Sequence, residues 1–166
     1  LNGLNCRLKK IDFGKLVELD VSFSNFTFVE WFLRNLCFES RLEKLFMRNT
    51  EFDLHILNSI SFDKLKEIDL GYSSLFFTSE KKHFLKGSTY LERIILSGTG
   101  LPNEKLEKYF NFTHFPHLTF LDLAQNSLSY FSTSLLSTSP NLQYLILSNN
   151  RLKSVQVDLD FLVYVD

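Results

Sequence analysis

The chain has 166 residues, a length that fits one domain, with 18 Lys and Arg against 19 Asp and Glu and a net charge of −1. That balance excludes a broad surface built to neutralise phosphates, and 45% hydrophobic residues exclude an acidic disordered tail. The longest apolar runs, such as Trp31-Phe32-Leu33 and Phe161-Leu162-Val163, fall far short of the ~20 residues a membrane helix needs, and two cysteines are too few for a disulfide-framed mini-domain.

In chain order, the opening Leu1-Asn2-Gly3 has no initiator Met and no signal peptide, so a piece of a longer protein is expected. Residues 1–15 read as a worn copy of a pattern that then recurs clearly. Its form is apolar, two variable, apolar, one variable, apolar, two variable, small polar, one variable, apolar. The copies are LVELDVSFSNF from Leu16, LEKLFMRNTEF from Leu42, LKEIDLGYSSL from Leu65, LERIILSGTGL from Leu91, LTFLDLAQNSL from Leu118 and LQYLILSNNRL from Leu142. Their starts lie 26, 23, 26, 27 and 24 residues apart, and another copy begins at Leu162. Between them, 28–36, 79–85 and 103–110 have helical spacing or helix-start signals.

A fixed period of this size predicts a solenoid. Positions one, four and six of each copy point inward. Positions four to six carry the alternation of a short strand, and positions three and five face out. One coil buries too little to offset its chain entropy, so coils must stack on a shared core. The expected architecture is a single array over 1–166 of about six to seven repeats. It is α/β, with a parallel sheet on the concave face and helical or irregular segments behind it. Most of the 18 Phe are expected in that core. Leu36, Ile60, Leu85, Phe112 and Leu136 sit at similar places and should form a column along the back.

The pattern resembles the leucine-rich repeat family, L-x-x-L-x-L-x-x-N-x-L, from Leu16 onward. The resemblance implies that the ninth residue bonds the backbone of neighbouring coils. That column reads Ser24, Thr50, Ser73, Thr99, Asn126 and Asn150. A hydroxyl has one donor where an amide has two, so the C-terminal rungs should be the stronger ones.

No nucleophile motif, phosphate loop, acid dyad or metal-ligand spacing stands out, so neither catalysis nor a cofactor is expected. His114 and His117 flank Phe115 and Pro116 without further ligands. With four His and no basic row, this segment carries no nucleic-acid signature. Candidate contacts lie on the outward strand face: Lys44, Phe46, Arg48, Asp69, Arg93, Ile95, Phe120, Asp122, Tyr144 and Ile146. Asn25-Phe26-Thr27 and Asn111-Phe112-Thr113 are glycosylation sequons. Cys6 and Cys37 could pair across adjacent coils, or Cys6 could be a core thiol; Cα separation decides.

The plant-type L-x-G-x-I-P segment and the alternating lengths of ribonuclease-inhibitor-like proteins are missing. Irregular copies, Ser/Thr rungs, helical inserts, Phe-rich backs and sequons are most similar to an animal Toll-like receptor ectodomain. That resemblance implies a receptor on the extracellular side of a membrane, at the cell surface or in endosomes. Its membrane span and signalling domain would lie elsewhere in the full chain. It also implies a microbial or endogenous ligand, or a protein partner, and dimerisation as homo- or heterodimer. Alternatives are a secreted or cell-surface repeat adhesion protein, a cytosolic repeat adaptor, and a repeat array linked to a catalytic domain.

Overall fold

The computed structural model describes residues 15–35, 41–59, 62–78, 85, 87–110, 112, 115–156 and 164–165. Cys6, Cys37, Asn111, His83, His114, Leu36, Ile60 and the predicted helical stretch over 79–84 lie outside them.

An inward apolar residue at position four, between outward residues at positions three and five, gives three-residue strands. These are β1 (Glu18–Asp20), β2 (Lys44–Phe46), β4 (Glu67–Asp69), β6 (Arg93–Ile95), β7 (Phe120–Asp122) and β9 (Tyr144–Ile146), with Tyr164–Val165 as β11. They form one seven-stranded sheet, ordered β1-β2-β4-β6-β7-β9-β11, with every pairing parallel. The register is constant: Leu19, Leu45, Ile68, Ile94, Leu121 and Leu145 lie side by side. Leu42, Leu65, Leu91, Leu118 and Leu142 form the buried file beside them, with Leu16 packed at its end. Position six, from Val21 and Met47 to Leu147, closes the same core. This is an α/β leucine-rich-repeat solenoid.

Each coil completes its backbone hydrogen bonds on its neighbours. The carbonyl of position two accepts two N–H groups from the next coil: Val17 from Glu43 and Lys44, Glu43 from Lys66 and Glu67, Lys66 from Glu92 and Arg93. Past the strand, position eight is left-handed in all six coils from Leu16 to Leu142: Phe23 (φ 61), Asn49 (48), Tyr72 (60), Gly98 (69), Gln125 (55) and Asn149 (56). The sequence pattern left this column variable because its requirement is a backbone angle. The N–H of position eight still donates to the next coil, as Phe23 to Arg48 at 2.8 Å and Gln125 to Ser148 at 2.9 Å.

Position nine fills the turn. Asn126 Nδ2 donates to the carbonyls of Leu96 (2.9 Å) in the preceding coil and Leu123 (3.0 Å) in its own, while Oδ1 accepts from Leu101 N (2.9 Å) and Thr99 Oγ1 (3.0 Å). Asn150 repeats the arrangement on Leu123, Leu147 and the Leu128 N–H. Thr50 and Ser73 both donate to the Met47 carbonyl, at 2.7 and 2.6 Å, and Ser73 Oγ accepts from Thr50 N. A hydroxyl thus donates to a single carbonyl, while the amide of Asn126 or Asn150 donates to carbonyls of two coils at once.

The return side varies from coil to coil. Helix α1 (Phe26–Asn35) begins where the Asn25 side chain accepts from Phe28 N at 2.9 Å. It packs against β3 (Glu51–Asp53) and the 3₁₀ turn Leu54–Ser59. Helix α2 (Asn103–Tyr109) and the 3₁₀ turn Thr133–Leu136 back the later coils. Leu85, Phe112 and Leu136 are buried there. Two flank pairs without a counterpart in the sequence pattern add further parallel pairing: β3 with β5 (Ser74–Phe76), and β8 (Tyr130–Ser132) with β10 (Ser154–Gln156). Asn103 ties α2 to the next coil, donating to the Tyr130 carbonyl (2.7 Å) and accepting from Ser129 N (2.8 Å). On the β3 flank, burial pushes the Asp53 carboxyl up. The Thr78 hydroxyl, the His55 N–H and the His55 ring outweigh that and hold it below the usual carboxylate value.

Two outcomes follow for stability. Asn126→Ala strands several buried backbone groups and should cost about 1–3 kcal/mol in chemical denaturation, whereas Ser24→Ala should cost a few tenths; equal losses would contradict the ladder. For Asp53, a lowered folded-state value means stability present above pH ~4 and lost as pH falls through that folded value. Thr78→Val should therefore destabilise at neutral pH, and the difference from wild type should shrink on acidification.

Candidate ligand-binding face

The outward strand face carries two columns. Column three runs Glu18, Lys44, Glu67, Arg93, Phe120, Tyr144, Tyr164, each opposite the next. At its N-terminal end the charges pair: Lys44 Nζ is 3.6 Å from Glu18, and Arg93 Nε is 3.1 Å from Glu67. The column then turns aromatic. The Arg93 guanidinium sits 3.9 Å from the centre of the Phe120 ring, whose centroid is 6.0 Å from that of Tyr144. Arg93 therefore joins the ion-pair half to the ring half. Tyr144 is 42% exposed, the most open member of the ring half whose side chain is described.

Column five alternates two chemistries. Phe46, Ile95 and Ile146 are half-buried. The intervening aspartates fold back on their own turns: Asp20 accepts from Ser22 N, Asp69 from Gly71 N and Asp122 from Ala124 N, at 2.8, 2.8 and 2.9 Å. Asp69, expected among the surface contacts, is 5% exposed, and its second oxygen takes the Arg48 guanidinium at 2.9 Å. Its carboxylate is thus committed to the turn and to Arg48, which corrects the sequence expectation. Asp122 is half-buried with one oxygen committed in the same way. Sequence placed these residues by their side of the strand; whether an oxygen would be claimed by the next turn depended on the backbone bend after it.

Arg48 does a second thing at the rim of the face. Its guanidinium lies 5.3 Å from the Tyr72 ring centre, and that ring lies against Gly98 one coil further on. The other rim carries residues one place before each copy, a column the sequence pattern did not include. Lys15, Arg41 and Lys64 stand exposed there in consecutive coils. Lys64 then lies 5.6 Å over Tyr90, whose ring stacks at 5.9 Å on His117. Acidic Glu43 and Glu92 lie two places along from Arg41 and Tyr90. Glu43 pairs with Lys66 at 2.8 Å. Among the described residues no cluster of three or more His, Cys, Asp or Glu is placed to hold a metal. Among them no helix is long and apolar enough to cross a membrane. Of the sequon asparagines, Asn25 is exposed at the start of α1; Asn111, like Cys6 and Cys37, lies outside the described residues.

A Leucine Rich Repeat family model matches residues 141–162. Among solved structures, an internalin (inlF) from Listeria monocytogenes is similar at a TM-score of 0.52 and 18% identity, over 84% of this chain and 40% of that one. The chain thus spans less than half the length of that internalin. An internalin C2 (inlC2) from the same bacterium aligns at a TM-score of 0.42 and 14% identity, over 91% of this chain and 80% of that one. No curated protein matches the chain. The likeness to inlF agrees with the fold.

The Tyr72 ring sets a test of the rim. A Cβ on Gly98 would come within 2.5 Å of Tyr72 Cδ1 at a φ of +69, whereas Gly100, at +72, has nothing within 4 Å. Gly100→Ala should cost about 1–2 kcal/mol from backbone strain alone, and Gly98→Ala distinctly more. Adding Tyr72→Ala should recover the excess in denaturation experiments.

Proposed function

We propose that this chain is part of the extracellular region of a Toll-like innate immune receptor, with a non-catalytic strand face that contacts a protein partner or a microbial or endogenous ligand. The observation that carries the reading is the arginine–aromatic run Arg93–Phe120–Tyr144 on an all-parallel sheet. Rings and arginines held rigidly on strands lose little freedom on binding, and they dominate contact energies where they are central. Ile95 and Ile146 lie in the adjoining column of the same coils and would frame the contact, with Lys44 and Phe46 two coils before Arg93 and Ile95.

The receptor identity rests on the sequence resemblance and on the exposed sequon at Asn25. On this reading the full chain spans a membrane outside this segment. Ligand-bridged pairing of two receptors, alike or different, raises the local concentration of their signalling domains. The site is the cell surface or an endosome; a secreted form of the same scaffold is the alternative location.

The test uses the full-length protein with an epitope placed beside the repeats. Staining of intact, unpermeabilised cells, or of endosomal lumens, is the expected result. Cytosolic staining alone would replace the receptor with an intracellular adaptor. Tyr144→Lys and Phe120→Lys should lower ligand-dependent receptor association at least tenfold while leaving surface expression intact. Unchanged association in both would move the contact off this face.

A further inference from the structure

Two aromatic residues occupy the left-handed position eight, and they are used differently. Tyr72 lies against Gly98 beneath Arg48, so its strained backbone is matched by packing. Phe23 has the same strain at φ 61, yet its side chain is 77% exposed. Among the described residues its ring has no ring or cation partner. A bulky residue disfavours this conformation, and an exposed phenyl gains nothing from water. Two costs at one residue call for a further contact.

Two residues on stands Asn25. Between them lies the half-buried ladder residue Ser24, while Phe23 and Asn25 are both exposed. The Asn25 Oδ1 is engaged in capping α1 through Phe28 N at 2.9 Å, which fixes the side chain and leaves Nδ2 as its open atom. Thr27, the hydroxyl residue a sequon requires, is exposed on the first turn of α1. Ring, asparagine and hydroxyl thus alternate along Phe23-Ser24-Asn25-Phe26-Thr27.

We propose that Asn25 carries an N-linked oligosaccharide and that Phe23 is the platform on which its first N-acetylhexosamine stacks. In the attachment step, a lipid-diphosphate-linked oligosaccharide supplies the sugar. The bond between sugar C1 and the phosphate oxygen breaks, the Asn25 Nδ2–C1 bond forms, Nδ2 gives up a proton, and the lipid diphosphate leaves. The C–H face of a pyranose meets the electron-rich face of a phenyl ring favourably, so the sugar covers Phe23 and the ring in turn orders the sugar. The surface around Phe23, on the coil that begins at Leu16, is thereby closed to protein contact.

This inference rests on the extracellular reading above, and the test separates the two. The full-length protein is secreted or displayed from animal cells as wild type, Phe23→Tyr and Phe23→Asn; the last removes the ring with a residue that tolerates a positive φ. Mass spectrometry reads occupancy at Asn25 and Asn111 in the same molecules, and melting is compared before and after enzymatic removal of sugar. Expected is an occupied Asn25, with deglycosylation lowering Tm by about 2–4 °C in wild type and Phe23→Tyr and by much less in Phe23→Asn. Sugar at Asn111 with Asn25 bare overturns the inference and leaves secretion standing. An occupied Asn25 whose removal shifts all three proteins equally overturns the platform. Both asparagines bare in the mature protein overturns the inference together with the extracellular reading.

Discussion

A three-residue strand leaves backbone donors and acceptors open along both edges, and nothing within its own coil can reach them. In this chain every coil passes that need to the next. The carbonyl of position two takes two N–H groups, and the N–H of position eight finds a carbonyl one coil on. Beneath each strand the inward residues at positions one, four and six join one core that runs from coil to coil and includes residues of the return side. Hydrogen bonding and burial therefore share one repeat distance. A copy shifted by one residue would lose both at once, because it would turn its leucines outward. That is why the register holds across coils whose lengths vary from 23 to 27 residues. The extra residues go to the back, where helix, 3₁₀ turn or flank pair each close the coil.

Holding the strand face so firmly has a consequence for recognition. In column three the strands hold Glu18 against Lys44, Glu67 against Arg93, Arg93 against Phe120 and Phe120 against Tyr144. The face accordingly changes character in steps, from ion pairs at Glu18–Lys44 to arginine on phenylalanine at Arg93–Phe120 and then to tyrosine at Tyr144. A paired charge in water adds little to affinity, so the energetic weight of such a surface sits at its aromatic end. The aspartates of column five look like free surface acids in sequence yet serve the bend that follows them, and Asp69 has its charge paired with Arg48.

The rims divide labour in a similar way. On one, the left-handed column admits any residue whose side chain the local packing tolerates, and Tyr72 and Phe23 show the two outcomes. One ring lies over a glycine that has no Cβ to resist it. The other stands in water beside a sequon. On the opposite rim Lys15, Arg41 and Lys64 line up without forming a strong positive field, since Glu43 and Glu92 stand close by.

The chain's own letters determined the solenoid, the strand positions, the inward files and the ladder column. Each of these follows from a fixed side-chain period and from whether a residue can be buried. They also pointed to helices near α1 and α2, where apolar spacing changes from two to 3.6. What they could not carry was anything set by a backbone angle or by a partner one coil away. Position eight looks variable because glycine, asparagine, glutamine and even aromatics share one left-handed φ there. Asn103 reads as an ordinary helix-start residue, and only the neighbouring coil makes it a bridge to Ser129 and Tyr130. Asp69 looks like a surface acid until the turn at Gly71 brings an N–H to one oxygen and Arg48 to the other. Periodicity is a property of the chain and can be read along it; satisfaction of a polar atom is a property of two coils and exists only once they are stacked.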